Sequence, residues 1–232
     1  MVDDILLSPE EQDEKAKQWL KDNGLALIVG VALGLGAVFG YNTYTAKQIA
    51  NAEQASTLYN QALESIKASE LADIEEPVAT LKGEFPGTPY ASKAALLRAK
   101  QLSVSDLSAA SNELQWVIDN AKEFGVKHTA RVRRAKIEVA LGNLESAKSL
   151  ATIDSAEGFG SYYQEILGDI AMAEGQEALA RDYYQQSLDN LGASDAAYRS
   201  VLNLKLNRIP AAKIPAAITD SAAASDTDSD AE

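Results

Sequence analysis

The 232-residue chain carries 34 acidic against 21 basic side chains, a net charge of −13, with a sequence pI near 4.6. So acidic a balance argues against a general nucleic-acid binder, whose phosphate contacts require net positive charge. The lack of cysteine excludes disulfides, thiolate nucleophiles and thiolate-bound zinc, and a lone His128 excludes a two-histidine metal site within one chain.

The first predicted element is a short helix. Ser8 is a candidate cap, Pro9 suits the first helical position, and Glu11 completes a capping box. Acidic residues lead and lysines follow toward Lys21, the order the helix dipole favours. A solvated anchor helix is the plain reading, and contact with a cytosolic partner is the alternative.

A membrane segment follows. No charged residue occurs from Asn23 to Ala46, and Gly24 to Tyr41 reads GLALIVGVALGLGAVFGY. A helix of that length spans about 27 Å, close to the hydrocarbon thickness of a bilayer. Trp19 precedes the run and Tyr41 and Tyr44 close it, where aromatic rings settle at a membrane interface. The competing reading, a buried helix of a soluble core, rarely carries so long an uncharged run. Lys15, Lys17 and Lys21 precede the segment and Lys47 alone follows closely, so the N-terminus is expected in the cytoplasm and the bulk of the chain across the membrane. A cleavable signal peptide is the rival. Against it stand Asp3, Asp4, Glu10, Glu11, Asp13, Glu14 and Asp22 ahead of the run, and the sequence YNTYTA after it. A retained signal anchor is expected.

Glycines stripe this segment. Gly30 and Gly34 form one small-xxx-small pair, and Ala32, Gly36 and Gly40 another, spacings that let two helix backbones approach closely in lipid. Gly30, Gly34, Gly36 and Gly40 are therefore candidate contacts with a second membrane helix, although glycine is common in such segments anyway. Gly34-Leu35-Gly36 also resembles the start of a dinucleotide loop, a reading discarded for want of a preceding strand.

Beyond Ala46 the chain is alanine-rich and punctuated at helical lengths, with little alternation of the kind strands show. Ala52, Ala55, Leu58, Ala62 and Ile66 continue the membrane helix outward over Gln48 to Ser69. A second helix is expected from Leu71 to Phe85, broken by Pro86-Gly87-Thr88-Pro89. Tyr90 to Leu102 makes the next helix, Ser105-Asp106 a cap, and Leu107 to Asn120 its partner.

The strongest regularity has a period of 33 residues: Ala135 matches Gly168, Gly142 matches Gly175, and Ala147 matches Ala180. Each unit reads as a helix, a glycine turn and a second helix opening on alanine, the form of a tetratricopeptide repeat. The unit from Ser161 supplies Leu167-Gly168, Gly175, Ala180 and Tyr184 at the expected offsets. The unit from His128 keeps Gly142 and Ala147 but lacks the Leu-Gly pair and the aromatic. Asp195 to Leu206 would close the stack. One helix pair cannot bury its own face, so the pairs are expected to share a continuous core. From Ile209 the chain loses its apolar period, and Lys213 is outweighed by Asp220, Asp226, Asp228, Asp230 and Glu232. A disordered acidic tail is expected there.

No residue earns a catalytic nomination. Lys127, Arg131 and Arg134 share one helical stripe, with Arg133 and Lys136 beside it, and form a candidate partner-binding surface for an acidic segment or phosphate. The blander reading is a solvated face balanced by neighbouring acids. His128 is expected as a surface or capping residue. Glu75-Glu76 is expected on an exposed helix, and Trp116, Tyr162, Tyr163, Tyr183 and Tyr184 in the core. Neither a metal nor a cofactor is expected.

The run from Asn23 to Ala37 after an acidic amphipathic N-terminus, with the alanine-rich helix and repeats behind it, resembles the YfgM-like ancillary subunit family of the bacterial Sec translocon. The likeness extends over roughly residues 10 to 208. It implies a single-pass protein of the bacterial inner membrane with a periplasmic repeat domain. It also implies association with the SecYEG channel and with a membrane-anchored periplasmic chaperone of the prolyl-isomerase type, a role in handing exported proteins to periplasmic chaperones, and a link to stress-response regulation. The family carries no catalytic motif.

The expected fold class is thus all-α, one N-terminal transmembrane helix followed by a tetratricopeptide-like helical-repeat solenoid. The expected organisation is a cytoplasmic segment over 1–23, the signal anchor over 24–44, the periplasmic repeats over 45–208 and the acidic tail over 209–232. A membrane-anchored scaffold for cell-envelope assembly is the alternative function, and a carboxylate-dependent hydrolase a distant third.

Overall fold

The computed structural model describes residues 9–67, 74–153, 156–192 and 195–210, and every regular element among them is helical. The chain divides into two compact units, Met1–Ala91 and Ser92–Glu232. The all-α expectation holds.

In the first unit, α1 runs unbroken from Pro9 to Lys67, 59 residues and about 88 Å at the α-helical rise. The expected cytoplasmic helix, membrane segment and outward extension are therefore one element. Ser8, its expected cap, and residues 68–73, where the second helix was expected to begin, lie outside the described residues. Glycine costs a helix about 1 kcal/mol per position in water. A lipid surrounding would offer the backbone no other hydrogen-bond partner and would keep the apolar glycines helical. Thr43 and Thr45 turn their hydroxyls back to the Phe39 and Tyr41 carbonyls at 2.9 and 3.0 Å, which satisfies them without solvent.

Along Gly24 to Tyr44 the large apolar side chains of α1 stand free. Leu25, Ile28, Leu33, Leu35 and Phe39 are all at least 67% exposed. Water would not tolerate a whole cylinder of such surface, whereas a hydrocarbon solvent would. Among the described residues this is the one helix long and apolar enough to cross a membrane. Past Tyr44 one face becomes selective. Ala55 and Ala62 are buried, as are Ile74, Val78 and Leu81 at and within α2 (Glu75–Glu84), which packs on α1. Glu75 and Glu76 are exposed at its start, as expected.

The second unit comprises most of α3 (Pro89–Leu102) and then α4 (Leu107–Asn120), α5 (Phe124–Ala140), α6 (Leu144–Ala151), α7 (Gly160–Ala173), α8 (Glu177–Asp189) and α9 (Ala196–Arg208). Each helix from α4 packs on its successor, and α5 also packs on α7. That is nearest-neighbour stacking of helix pairs.

Local chemistry sets the helix ends. The Asp106 carboxylate accepts the Ala109 amide at 2.9 Å and caps α4, as its place in the sequence predicts. Gly142 and Gly175 adopt φ of +80° and +75°. Each is followed by an amide that reaches back to close the helix: Asn143 N–H to the Glu138 carbonyl at 2.9 Å, Gln176 N–H to the Ala171 carbonyl at 2.8 Å. Both are the same left-handed C-terminal motif one repeat apart, so the 33-residue period is a period of structure. Two starts differ from expectation. α5 opens at Phe124, a full turn before His128, and α7 opens at Gly160, where Phe159 accepts the first amides.

The core is apolar and small. Ala95, Ala99, Leu114, Val117, Ala130, Ala135, Ala147 and Ile166 anchor a cluster spanning α3 to α7. Ala171, Ala180, Tyr184, Leu188 and Leu202 form a second around α8. Ile209, expected as the first residue of the tail, is buried in that second cluster, because its apolar side chain closes the end of α9. Arg181 fixes it there by donating to the Ile209 and Pro210 carbonyls. Residues 211–232, the rest of the expected tail, lie outside the described residues.

Candidate functional site

A groove runs across the second unit on α5. On one side a cavity of about 350 Å³ is lined by Leu96, Ala99 and Lys100 of α3, Leu114 of α4, and Arg133, Lys136 and Ile137 of α5. On the other side a cavity of about 470 Å³ is lined by Thr129, Val132, Arg133 and Lys136 of α5, Phe159 and Tyr162 at the start of α7, and Tyr198 of α9. Arg133 and Lys136 stand between the two. None of the lining residues of either cavity is acidic.

Beneath the second cavity lies an ionic network. Glu165 of α7 is 1% exposed and accepts Lys136 Nζ at 2.5 Å, Lys205 Nζ at 2.7 Å and the Tyr198 hydroxyl. Burial opposes ionisation of this carboxyl, but the Lys136 charge and the hydrogen bonds from Lys136, Lys205 and Tyr198 outweigh it and hold its pKa below the usual value. Lys205 also donates to Asp169 at 2.6 Å, and the Tyr184 hydroxyl donates to Asp169 at 2.7 Å. Burial, then the neighbouring carboxylates, push the Tyr184 and Tyr198 phenols well up. Four helices are thereby stitched together at the floor of the groove. Spacing in the sequence puts Lys136 beside the stripe, but its acid partner is not legible there, because the two lie 29 residues apart on different helices. The repeat offset, which aligns Lys136 with Asp169, is a trace of the network.

The predicted stripe is divided. Arg134 turns inward: its guanidinium donates to Ser111 at 3.1 Å and to Gln115, and lies 3.7 Å from Glu138. Glu138 is itself buried, and burial works against its charge. The hydrogen bonds from Ser111 and Asn143 and the charge of Arg134 prevail and keep its pKa low. Lys127 and Arg131 are half-buried and line neither cavity, whereas Arg133 beside them is exposed in the groove. His128 corrects the surface expectation. It is 9% exposed, shares a 2.7 Å hydrogen bond with the Tyr163 hydroxyl, and lies among Phe124 and Phe159 with ring centroids 4.0 and 5.1 Å away. Burial, aided by Arg131 and opposed by Glu157, lowers its pKa. The same burial pushes the Tyr163 phenol up to about 12.

The glycines of the apolar segment stand open. A Cβ added at Gly30, Gly34, Gly36 or Gly40 would meet nothing within 4 Å. Gly168 is the opposite. A Cβ there would fall 2.5 Å from Tyr184 Cε1, so the Leu167-Gly168 pair is small where helix B's aromatic crosses helix A. One repeat earlier the matching positions are Ala135 and Ala151, both buried. The unit that lacks the aromatic also tolerates the methyl group.

These features, an alanine-opened helix B, a left-handed turn glycine and an aromatic over glycine, agree with a family profile for a tetratricopeptide repeat-like domain, which matches residues 17–211. The chain belongs to this family. The match of this tetratricopeptide-like chain reaches back through the apolar helix, so that helix and the repeats are described together. Among curated proteins it is similar to the ancillary SecYEG translocon subunit of Haemophilus influenzae, 26% identical over 88% of this chain and 98% of that protein. It is 28% identical to that of Aggregatibacter actinomycetemcomitans over 86% and 97% of the two chains. It is 26% identical to that of Escherichia coli strain K12 over 89% and 98%. The resemblance to the YfgM-like family, drawn from the run after Asn23 and the repeats, is borne out. No solved structure matches the chain.

Proposed function

We propose that the chain is a non-enzymatic ancillary subunit of the Sec translocon in the bacterial inner membrane. The observation that carries this reading is the near end-to-end alignment with proteins named ancillary SecYEG translocon subunits. In this reading residues 24–44 anchor the chain, with the N-terminus cytoplasmic and the repeats periplasmic. The exposed apolar length of α1 meets the lipid bilayer, and Gly30, Gly34, Gly36 and Gly40 offer a close approach to a membrane helix of SecYEG. The repeats take part in passing exported proteins to periplasmic chaperones, among them a membrane-anchored one of the prolyl-isomerase type, with a bearing on stress-response regulation. Lys127 and Arg131 are the members of the basic stripe open to such a partner.

Photocrosslinking in membranes tests this, with probes at Gly34 and Gly36 and along Lys127 to Lys136, followed by mass spectrometry. Adducts with translocon subunits or with the chaperone are expected. Adducts with envelope-assembly proteins alone would replace the translocon reading with that of a scaffold.

A further inference from the structure

We propose that α1 is a rigid shaft rather than a tether, which sets the height and the rotational direction at which α2, the first repeat helix packed on it, faces a partner of the apolar segment. This deepens the translocon reading, on which it rests for the bilayer around residues 24–44 and for the identity of that partner.

Continuity is the first argument. α1 is helical at every residue from Pro9 to Lys67. Sharp kinks arise at proline, at glycine–serine pairs or where a helical turn is widened. The only proline of α1 is Pro9, at its first position, and neither glycine nor proline occurs from Tyr41 to Lys67. Ala46 to Asn51 are exposed, so no other described element braces this stretch. Its own chemistry does. Thr45 donates to the Tyr41 and Asn42 carbonyls, both at 3.0 Å, and Gln48 Nε2 to the Tyr44 hydroxyl at 3.1 Å. Alanine, lysine, glutamine and glutamate, all strong helix formers, make up most of Ala46 to Gln54. Helix on both sides removes the cost of nucleation, so the stretch has only to propagate. A flexible linker would instead be rich in glycine and serine.

Register is the second. Eighteen residues make about five turns, so positions that far apart share a face. That step carries Ala37 to the buried Ala55, and Gly34 and Gly40 to the half-buried Ala52 and Leu58. Gly36 is carried instead to the exposed Gln54. α2 packs on the covered face of α1, and so stands over the side of the apolar segment that presents Gly34, Ala37 and Gly40. Ala55 lies about 16 Å along the axis beyond Tyr44 at the helical rise. From that height outward, a partner held against this side of the segment meets α2, whose Glu76 and Glu84 are exposed.

The test has a part without a partner and a part with one. For the first, Leu25→Cys and Gln54→Cys, both exposed in a chain with no native cysteine, carry spin labels on the full chain in lipid nanodiscs. Double electron–electron resonance should give one narrow distance near about 44 Å. A broad or shorter distribution overturns the proposal, as does an unchanged one in Gln48→Pro, since the helix would then not be what sets the distance. For the second, alanines are inserted after Gln48, and photocrosslinking probes are placed at Glu76, Glu84 and Gly34. Two alanines turn α2 by about 200° and lift it about 3 Å, whereas four turn it by only about 40° and lift it about 6 Å. Translocon adducts from the α2 probes should fall at least about fivefold with two alanines and stay within about twofold with four, while those from Gly34 persist in both. Equal loss, no loss, or greater loss with four alanines overturns the proposal. Absence of α2 adducts from an unaltered chain whose Gly34 probe reacts overturns it too. Should an inserted chain lose helicity, the spin-label distance decides. If Gly34 gives no translocon adduct in any chain, the translocon reading fails, and the spin-label distance alone still decides whether α1 is a shaft.

Discussion

Replacing Gly168 by alanine adds one methyl group at the tightest crossing in the repeats. The new Cβ would lie 2.5 and 2.6 Å from Tyr184 Cε1 and Cδ1, about 1 Å inside the 3.5–4.0 Å at which carbon atoms rest. The ring has little room to swing. Its hydroxyl is tied to Asp169 at 2.7 Å and the Lys205 ammonium lies 5.6 Å from its centroid. An overlap of about 1 Å against a tethered ring belongs at the upper end of the cost of overpacking, about 2–3 kcal/mol, and alanine returns about 1 kcal/mol of helix propensity. A net loss of about 1–2 kcal/mol follows, or a fall in Tm of about 3–6 °C for a chain of this size. Thermal unfolding of the full chain in detergent, followed by near-ultraviolet circular dichroism, measures it. The control is the same substitution in a Tyr184→Ala background, where the ring is gone and Gly168→Ala should be neutral or mildly stabilising. An unchanged Tm in the first background, or the same penalty in both, would refute the reasoning.

Other outcomes follow from the same contacts. Glu165→Gln strips the charge that Lys136 and Lys205 share, and should cost about 2–3 kcal/mol in urea unfolding, below the value for a fully dry pair because both ammonium groups reach solvent. Gly142→Ala and Gly175→Ala should each cost about 1–2 kcal/mol in the same measurement, since both sites hold positive φ. His128 has a folded pKa below its ordinary 6.5, so its contribution is complete above that pH and is lost as pH falls below it. Tm should therefore drop between about pH 7.5 and 5.5, with a smaller slope in His128→Gln. The depressed carboxyls of Glu138 and Glu165 add a second loss below their ordinary 4.5, through their folded values. Because the chain has no cysteine, Lys17→Cys and Lys122→Cys can each be tested with a membrane-impermeant maleimide added to spheroplasts. Labelling of the second alone is expected, and labelling of the first would reverse the proposed orientation.

What could be read from the residues in order was local. An uncharged run from Asn23 to Ala46 specifies a helix that lipid can solvate, because hydrocarbon length and the internal hydrogen bonds of a helix are properties of one segment. Asp106 capped α4, and Gly142 and Gly175 turned the chain where the period placed them, because caps and left-handed turns depend on neighbours within a few positions. Even the pairing of Gly168 with Tyr184 was foreshadowed, since a repeat writes a tertiary contact into a fixed offset.

The groove was not legible in this way. Lys127, Arg131 and Arg134 form a stripe by spacing alone, but spacing does not say which stripe faces a neighbour. Packing of α4 against α5 turned Arg134 inward to Ser111 and Glu138, while Arg133, one residue away, was left in the groove. Likewise His128 looked like a helix-end residue until Phe124 extended α5 and Phe159 and Tyr163 closed over it. The buried Glu165 is the sharpest case. Its charge is tolerable only where Lys136 and Lys205, from two other helices, arrive within hydrogen-bond distance, and that meeting exists only once the stack has formed. Helix positions, the apolar segment and the period belong to the sequence. The choice of which charges are buried as pairs and which remain in the groove belongs to the packing, because desolvation depends on neighbours that are distant in the chain.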